Sequence, residues 1–230
     1  TAQTSISQTL INTTSTNLDA VYTATATFGT APNSCSSSFN ITVTVIPNPN
    51  ITDVTQTICS TGTFTVTPTN TAPDVVPTGT TYTWTVTAPA GISGASNQAT
   101  AQTAISQTLS NTTNAAISAV YTVTAFSGVA PNVCTNTFIV TVTVNPNPVI
   151  ANKTQTICST GTFTVTPTNT APDVVPTGTT YTWTVTTPAG ITGASNQATA
   201  QTSISQTLTN TTSAPINVIY AVTASSGTAP

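Results

Sequence analysis

Thr81-Tyr82-Thr83-Trp84-Thr85-Val86-Thr87 places a large apolar side chain at every second position, with threonine between. A period of two marks a strand with one buried face and one wet face. Tyr82 and Trp84 therefore read as core aromatics whose polar tips need partners. Working outward, Ile117–Ala125 carries Ile117, Tyr121 and Val123 on one side, and Phe138, Val140, Val142 and Val144 alternate in the same way. Upstream, Ile51–Ile58 leads through a turn at Cys59-Ser60-Thr61-Gly62 into Thr63–Thr69, with Phe64 and Val66 on one face. Two short strands are expected around Ala104–Leu109 and just before Ile117, with loops at 89–99 and Ser127–Val133. Lettered A to G, these seven short strands predict a two-sheet sandwich of immunoglobulin type.

The pattern recurs every 99 residues. Thr1-Ala2-Gln3-Thr4 returns as Thr100-Ala101-Gln102-Thr103 and as Thr199-Ala200-Gln201-Thr202. Residues 55–99 and 154–198 differ only at Ala88/Thr187 and Ser93/Thr192. Tyr181, Trp183 and Tyr220 thus repeat Tyr82, Trp84 and Tyr121 as core aromatics. The period is too long for one solenoid turn and suits a complete small domain with its own core. Pro47-Asn48-Pro49 and Pro146-Asn147-Pro148 divide the copies, because two prolines around one residue hold the backbone extended and stop a strand. The expected domains are 1–46, the C-terminal part of a module; 47–145, a complete module; and 146–230, a module lacking its last strand. The fold class expected is all-β, tandem sandwiches in a head-to-tail rod.

Composition narrows the function. Asp19, Asp53, Asp74, Asp173 and Lys153 are the whole charged inventory of the 230 residues. Thr and Val favour pleated strands, and strong helix formers are scarce. Without Arg and with one Lys the surface offers nothing to phosphates, so nucleic acid is not an expected partner. No apolar run is long enough to span a bilayer as a helix, and no membrane insertion is expected. General acid–base chemistry needs a titratable group of suitable pKa, and a hydroxyl nucleophile needs an activating base. With no His or Glu and with scattered carboxylates, the chain is read as no enzyme, with no cofactor and no metal.

The cysteines recur in register, Cys35 with Cys134 and Cys59 with Cys158. Repeated cysteines in a threonine-rich β chain point to an oxidising, extracellular setting. Three pairings are open, and free thiols beside them. Cys59 with Cys134 closes a bridge inside one module but needs an altered topology, since the A–B and F–G turns lie at opposite ends of such a sandwich. Cys59 with the next copy's counterpart of Cys134 staples successive modules. Cys35 with Cys59 closes a hairpin turning at Pro47–Pro49.

Tyr82-Thr83-Trp84-Thr85-Val86, Tyr121-Thr122-Val123-Thr124 and Val140-Thr141-Val142-Thr143-Val144-Asn145-Pro146 together resemble the polycystic-kidney-disease (PKD)-like immunoglobulin modules of Bacteroidota surface proteins. Ile58-Cys59-Ser60 opening a module and Cys134 before its last strand are similar to that group as well. The resemblance covers the whole chain. It implies stalks of very large cell-surface adhesins, including gliding-motility adhesins exported by the type 9 system, and in single modules it favours the intradomain bridge.

Other features receive plainer readings. Asp74 and Asp173 are turn residues in Pro-bounded loops, and Lys153, which replaces Val54 of the preceding copy, is a surface change. A sugar-stacking platform of Tyr82 and Trp84 competes with their core role. The Thr-x-Thr faces would have to be flat to match ice, whereas sandwich strands twist. Asn12, Asn40, Asn50, Asn111, Asn152 and Asn210 open Asn-x-Thr sequons in a chain rich in both residues. The function expected is an extracellular structural stalk or filament whose partners are neighbouring modules, with any glycan or surface ligand unknown. The rivals are a filament subunit joined by strand complementation and a carbohydrate-binding module.

Overall fold

A computed structural model describes residues 3–227. Among the described residues there are sixteen strands and no helix. The first copy contributes β1 (Leu18–Phe28) and β2 (Cys35–Val45). The central copy holds β3 (Val54–Cys59), β4 (Gly62–Val66), β5 (Thr81–Thr87) and β6 (Ile92–Ser93). It continues with β7 (Gln98–Gln102), β8 (Ile105–Asn111), β9 (Ile117–Val129) and β10 (Asn132–Asn145). The third copy repeats most of this as β11 (Gly161–Val165), β12 (Thr180–Val185) and β13 (Ile191–Thr192). Its last strands are β14 (Gln197–Gln201), β15 (Ile204–Asn210) and β16 (Tyr220–Ser225).

The central copy is an immunoglobulin-like sandwich. One sheet has the order β3-β10-β9-β5-β7 and the other β4-β8-β6. The alternating side chains meet between them. Tyr82, Trp84, Ala119, Tyr121, Val123, Phe138, Val140, Val142 and Val144 come from the larger sheet, and Phe64, Val66, Ile105 and Leu109 from the smaller. Phe64 tilts on Tyr121 with ring centroids 5.1 Å apart, and Tyr82 meets Phe138 edge-on at 6.2 Å. Such offset and edge contacts match the negative face of one ring to the positive edge of another. On the outer face, threonines partner each other across strands: Thr63 with Thr108 at 2.6 Å and Thr65 with Ser106 at 2.8 Å.

Three local expectations need correction. The predicted Ser127–Val133 loop is mostly strand. The β9–β10 ladder runs unbroken to Asn132 opposite Val129 and leaves only Ala130-Pro131 as the turn, so pairing satisfies the backbone that a loop would expose. No strand lies just before Ile117. There, Asn111 accepts from the Thr113 amide through Oδ1 and donates through Nδ2 to the Ala115 carbonyl, a local side-chain turn that competes with strand pairing. The predicted 89–99 loop instead contains β6, and β7 begins at its end, each held by pairing to a longer strand.

Strand β3 belongs with β10, not with β4. It runs parallel to β10 in the register Val54 opposite Val140 to Cys59 opposite Asn145. The molecule provides its own control for this pairing. Residues 154–158 repeat Thr55–Cys59 letter for letter, yet they form no strand. Among the described residues no last strand lies alongside them. Partner, not propensity, makes β3 a strand. In the first copy β1 and β2 pair along their full length, and among the described residues no second sheet covers them. Phe39 is accordingly 53% exposed and Val43 38%, whereas their counterparts Phe138 and Val142 are 3% and 0% exposed.

Burial differences of this kind set a measurable scale. Leu109 is fully buried and its counterpart Leu208 only half-buried. Leu109→Ala is expected to lower the stability of its copy by about 3 kcal/mol through lost contacts and a residual cavity. Leu208→Ala should cost clearly less. Urea unfolding followed by tryptophan fluorescence, in backgrounds where Trp183 or Trp84 is replaced by Phe, reads each copy separately. Equal losses would show that the half-open third copy packs as well as the central one.

Candidate functional site

The polar tips of the buried aromatics Tyr121 and Trp84 join one network with partly buried Gln107 and exposed Ser96. Tyr121 donates its hydroxyl to Gln107 Oε1 at 2.9 Å. Gln107 Nε2 donates to the Ser96 carbonyl at 2.8 Å, and Gln107 Oε1 accepts from the Ser96 amide. The same Ser96 carbonyl accepts the Trp84 indole at 3.1 Å. The third copy repeats the set with Tyr220, Gln206, Ser195 and Trp183. Even in the first copy Tyr22 donates to Gln8. Trp84, Trp183, Tyr82 and Tyr181 are buried, so these rings offer no exposed stacking face to a sugar. The network is structural. It fixes the outer loop 94–97 to the core and prevents two aromatic polar tips from being stranded.

The few charged groups are also engaged in holding loops. Asp74 Oδ1 accepts from the Thr52 amide, and its counterpart Asp173 from the Ala151 amide. Lys153 pairs with Asp173. The hydrogen bond from Lys153, followed by that from the Ala151 amide, holds the Asp173 carboxyl below its ordinary value. Asp53 accepts from the Ile139 amide and ties β3's entry to β10. Asn111, which opens a sequon, is buried, with both amide hydrogens committed to the Ala115 and Val144 carbonyls.

A second set of contacts lies where copies meet. Pro47 and Pro49 are fully buried, Pro146 is buried and Pro148 half-buried. Ser127 Oγ on β9 donates to the Pro47 carbonyl at 2.7 Å, and Ser226 Oγ donates to the Pro146 carbonyl in the same way. From the other side, Asn147 Nδ2 donates to the Ser60 carbonyl at 3.0 Å. Asn70 of the central copy bonds Ser15 of the first at 2.9 Å. Gly128, with φ of 83°, packs its backbone against the Ile46 side chain, and Gly227, with φ of 76°, packs against Asn145. A Cβ at either glycine would lie in a left-handed backbone and at 128 would also strike the Asn132 carbonyl. The segment between copies is therefore gripped by the strand pairs on both sides of it.

Ser60, Ser127, Ser226, Asn147 and Gln107 carry these contacts, and their polar letters are lost among so many Ser, Thr, Asn and Gln. Repetition was the available signal. Ile-Ser-Gln-Thr-Leu stands at 6–10, 105–109 and 204–208, and Ser-Gly at 127–128 returns at 226–227.

The four cysteines are unbonded. Cys59 lies opposite Asn145, whereas Cys134 lies near the start of β10 opposite Ser127. Eleven residues of strand, about 36 Å, separate the two levels, so the bridge within a module is excluded by length. Cys35 pairs with Phe28 at the end of β2 away from Val45, so the hairpin bridge to Cys59 is excluded as well.

The sequence profile of the PKD-like domain matches residues 56–148 and again 155–229. The chain belongs to this family. No curated protein matches it. Domains of the PKD-like family are typically extracellular, immunoglobulin-like and non-catalytic. The two matched stretches follow the 99-residue period and end just past β10 and β16, so each match takes in one set of sandwich strands.

Burial of the aromatic hydroxyls gives this PKD-like sandwich a defined alkaline limit. Burial pushes the Tyr121 hydroxyl up to about 12, and Tyr82, Tyr181 and Tyr220 move in the same direction for the same reason. In the unfolded chain tyrosine ionises near pH ~10. Between these values the unfolded state has already lost a proton that the folded state keeps. Stability is thus full below pH ~10 and falls as pH rises towards 12. Denaturation midpoints measured across this window should decline, and less steeply in Tyr121→Phe. A flat profile would show that Tyr121 is not held neutral by the core.

Proposed function

We propose that the chain is a section of an extracellular spacer, an array of PKD-like sandwiches that holds some other element away from a cell surface. The supporting observation is the doubly gripped junction. A Pro-Asn-Pro segment whose carbonyl is bound by the following copy, and whose central amide binds the preceding copy, resists bending. In this reading the units are 1–46, 47–145 and 146–230, and the partners of each are its neighbours in the array. The resemblance to the stalks of large Bacteroidota adhesins, including those exported by the type 9 system, leads us to assign the same role here.

The surface chemistry fits a spacer. Function at a distance needs length, solubility and mechanical integrity, and no reactive group. Threonine pairs such as Thr63–Thr108 and Thr162–Thr207 satisfy each other on the wet face without charge. A surface with little charge is also indifferent to ionic strength, since few charges remain to be screened.

Small-angle scattering tests the reading. The 230-residue chain should give a maximum dimension that matches copies placed end to end and does not change with salt. The triple change Pro146→Gly, Asn147→Ala, Pro148→Gly should broaden the distance distribution and shorten the mean, while costing the central copy only the Asn147–Ser60 bond, about 1 kcal/mol. An unaltered distribution would mean that the segment does not set the geometry.

A further inference from the structure

The junction brings together two cysteine positions that no single copy can join. The end of each last strand presents one carbonyl, Ile46 in the first copy and Asn145 in the central copy, 99 residues apart. At the first junction Cys134 Sγ approaches the Ile46 carbonyl at 3.9 Å. At the second, the Ser60 amide donates to the Asn145 carbonyl at 2.7 Å, and Cys59 is the residue opposite Asn145 in the ladder. One carbonyl position thus receives the F–G thiol of the following copy and the residue after the A–B cysteine of its own copy. A carbonyl oxygen has two lone pairs and accommodates both.

We infer that successive copies are joined by a disulfide between the A–B cysteine of one and the F–G cysteine of the next. Cys59 pairs with the counterpart of Cys134 at position 233, and Cys134 with the A–B cysteine of the copy before. Every copy then carries one half of a bridge at each end. This inference rests on the end-to-end array proposed above.

Both half-sites are held in place before the bond forms. Ser60 is fixed three ways: its amide on Asn145, its hydroxyl on the Asn111 carbonyl and its carbonyl under Asn147 Nδ2. The next residue, Thr61, sits at φ 68° and donates to the Leu109 carbonyl. A β-branched residue in the left-handed region is uncommon, and here the surrounding bonds impose it. Cys134 is carried on the β9–β10 ladder, whose Ser127 grips Pro47. Cys59 and Cys158 are exposed and Cys134 half-exposed, so an oxidant reaches them. Two thiols exchange with the disulfide of an oxidised dithiol carrier. One sulfur–sulfur bond forms and one breaks, and the carrier leaves with both electrons and both protons as two thiols. The product gives each junction a second covalent connection beside the backbone.

The test uses the full chain and the same chain lengthened at its C-terminus by a copy of residues 132–145, which places a cysteine at position 233. Both are equilibrated with a mixture of oxidised and reduced glutathione, and their free thiols are counted. The unextended chain should keep all four thiols. The extended chain should fall from five to three, with a non-reducing peptide map linking Cys59 to the new cysteine. Cys59→Ser should abolish the bridge, and Cys134→Ser should leave it intact. Five retained thiols in the extended chain overturn the inference, and so does a fall from four to two in the unextended one, which would mean a bridge within a copy. Scattering on the extended chain separates the two proposals. An end-to-end dimension without the bond removes only the staple, whereas a compact, folded-back particle removes the array beneath it.

Discussion

The parallel pairing of β3 with β10 sets the rest of the architecture. By leaving β4's sheet and lying along the last strand, β3 carries the turn after Cys59 to the level of Asn145, where the chain departs for the next copy. There Ser60 can grip both Asn145 and Asn147. Had β3 paired with β4, that turn would have no β10 carbonyl to bind. The same pairing bridges the two sheets, because Thr61 on the far side of the turn bonds Leu109 of the smaller sheet. Its dependence on a partner is visible in residues 154–158, which have the sequence of the strand and not its structure.

A sandwich with almost no charge must solve its polar problem with neutral groups. At the margin of the core, Gln107 serves Tyr121 and Ser96, while the Ser96 carbonyl takes the Trp84 indole. A partly buried amide with both ends occupied carries little desolvation penalty, whereas loss of Gln107 would strand the buried Tyr121 hydroxyl. Outside, hydroxyl pairs across strands do what ion pairs do in other sheets. Among the described residues every buried side-chain polar atom has a partner. Neutral networks of this kind do not titrate near pH 7, and the charged exceptions, Asp74, Asp173 and Asp53, are spent on backbone amides at loop entries.

These two economies meet at the junction. The linker is held by serine hydroxyls, an asparagine amide and buried proline rings, with no charge involved. Hydrogen bonds of this type are each worth about 1 kcal/mol, so rigidity comes from their number and from the restricted φ of proline. The junction is where the contacts between copies are concentrated.

By itself the sequence determined the class. Period-two alternation at Tyr82, Trp84 and Val86 and at Phe138 to Val144 makes strands, and the 99-residue repeat with its Pro-Asn-Pro marks makes an array. These are local signals, because a side chain's face along a strand depends only on its position in the alternation. Tertiary structure decided what local pattern leaves open. Which sheet β3 joins, whether 154–158 is a strand, how far β9 and β10 extend, and which cysteines lie at the same level all depend on a partner strand far away in sequence. The inner-face residues of β3 suit either neighbour, and a backbone amide carries no letter that says which carbonyl it will meet.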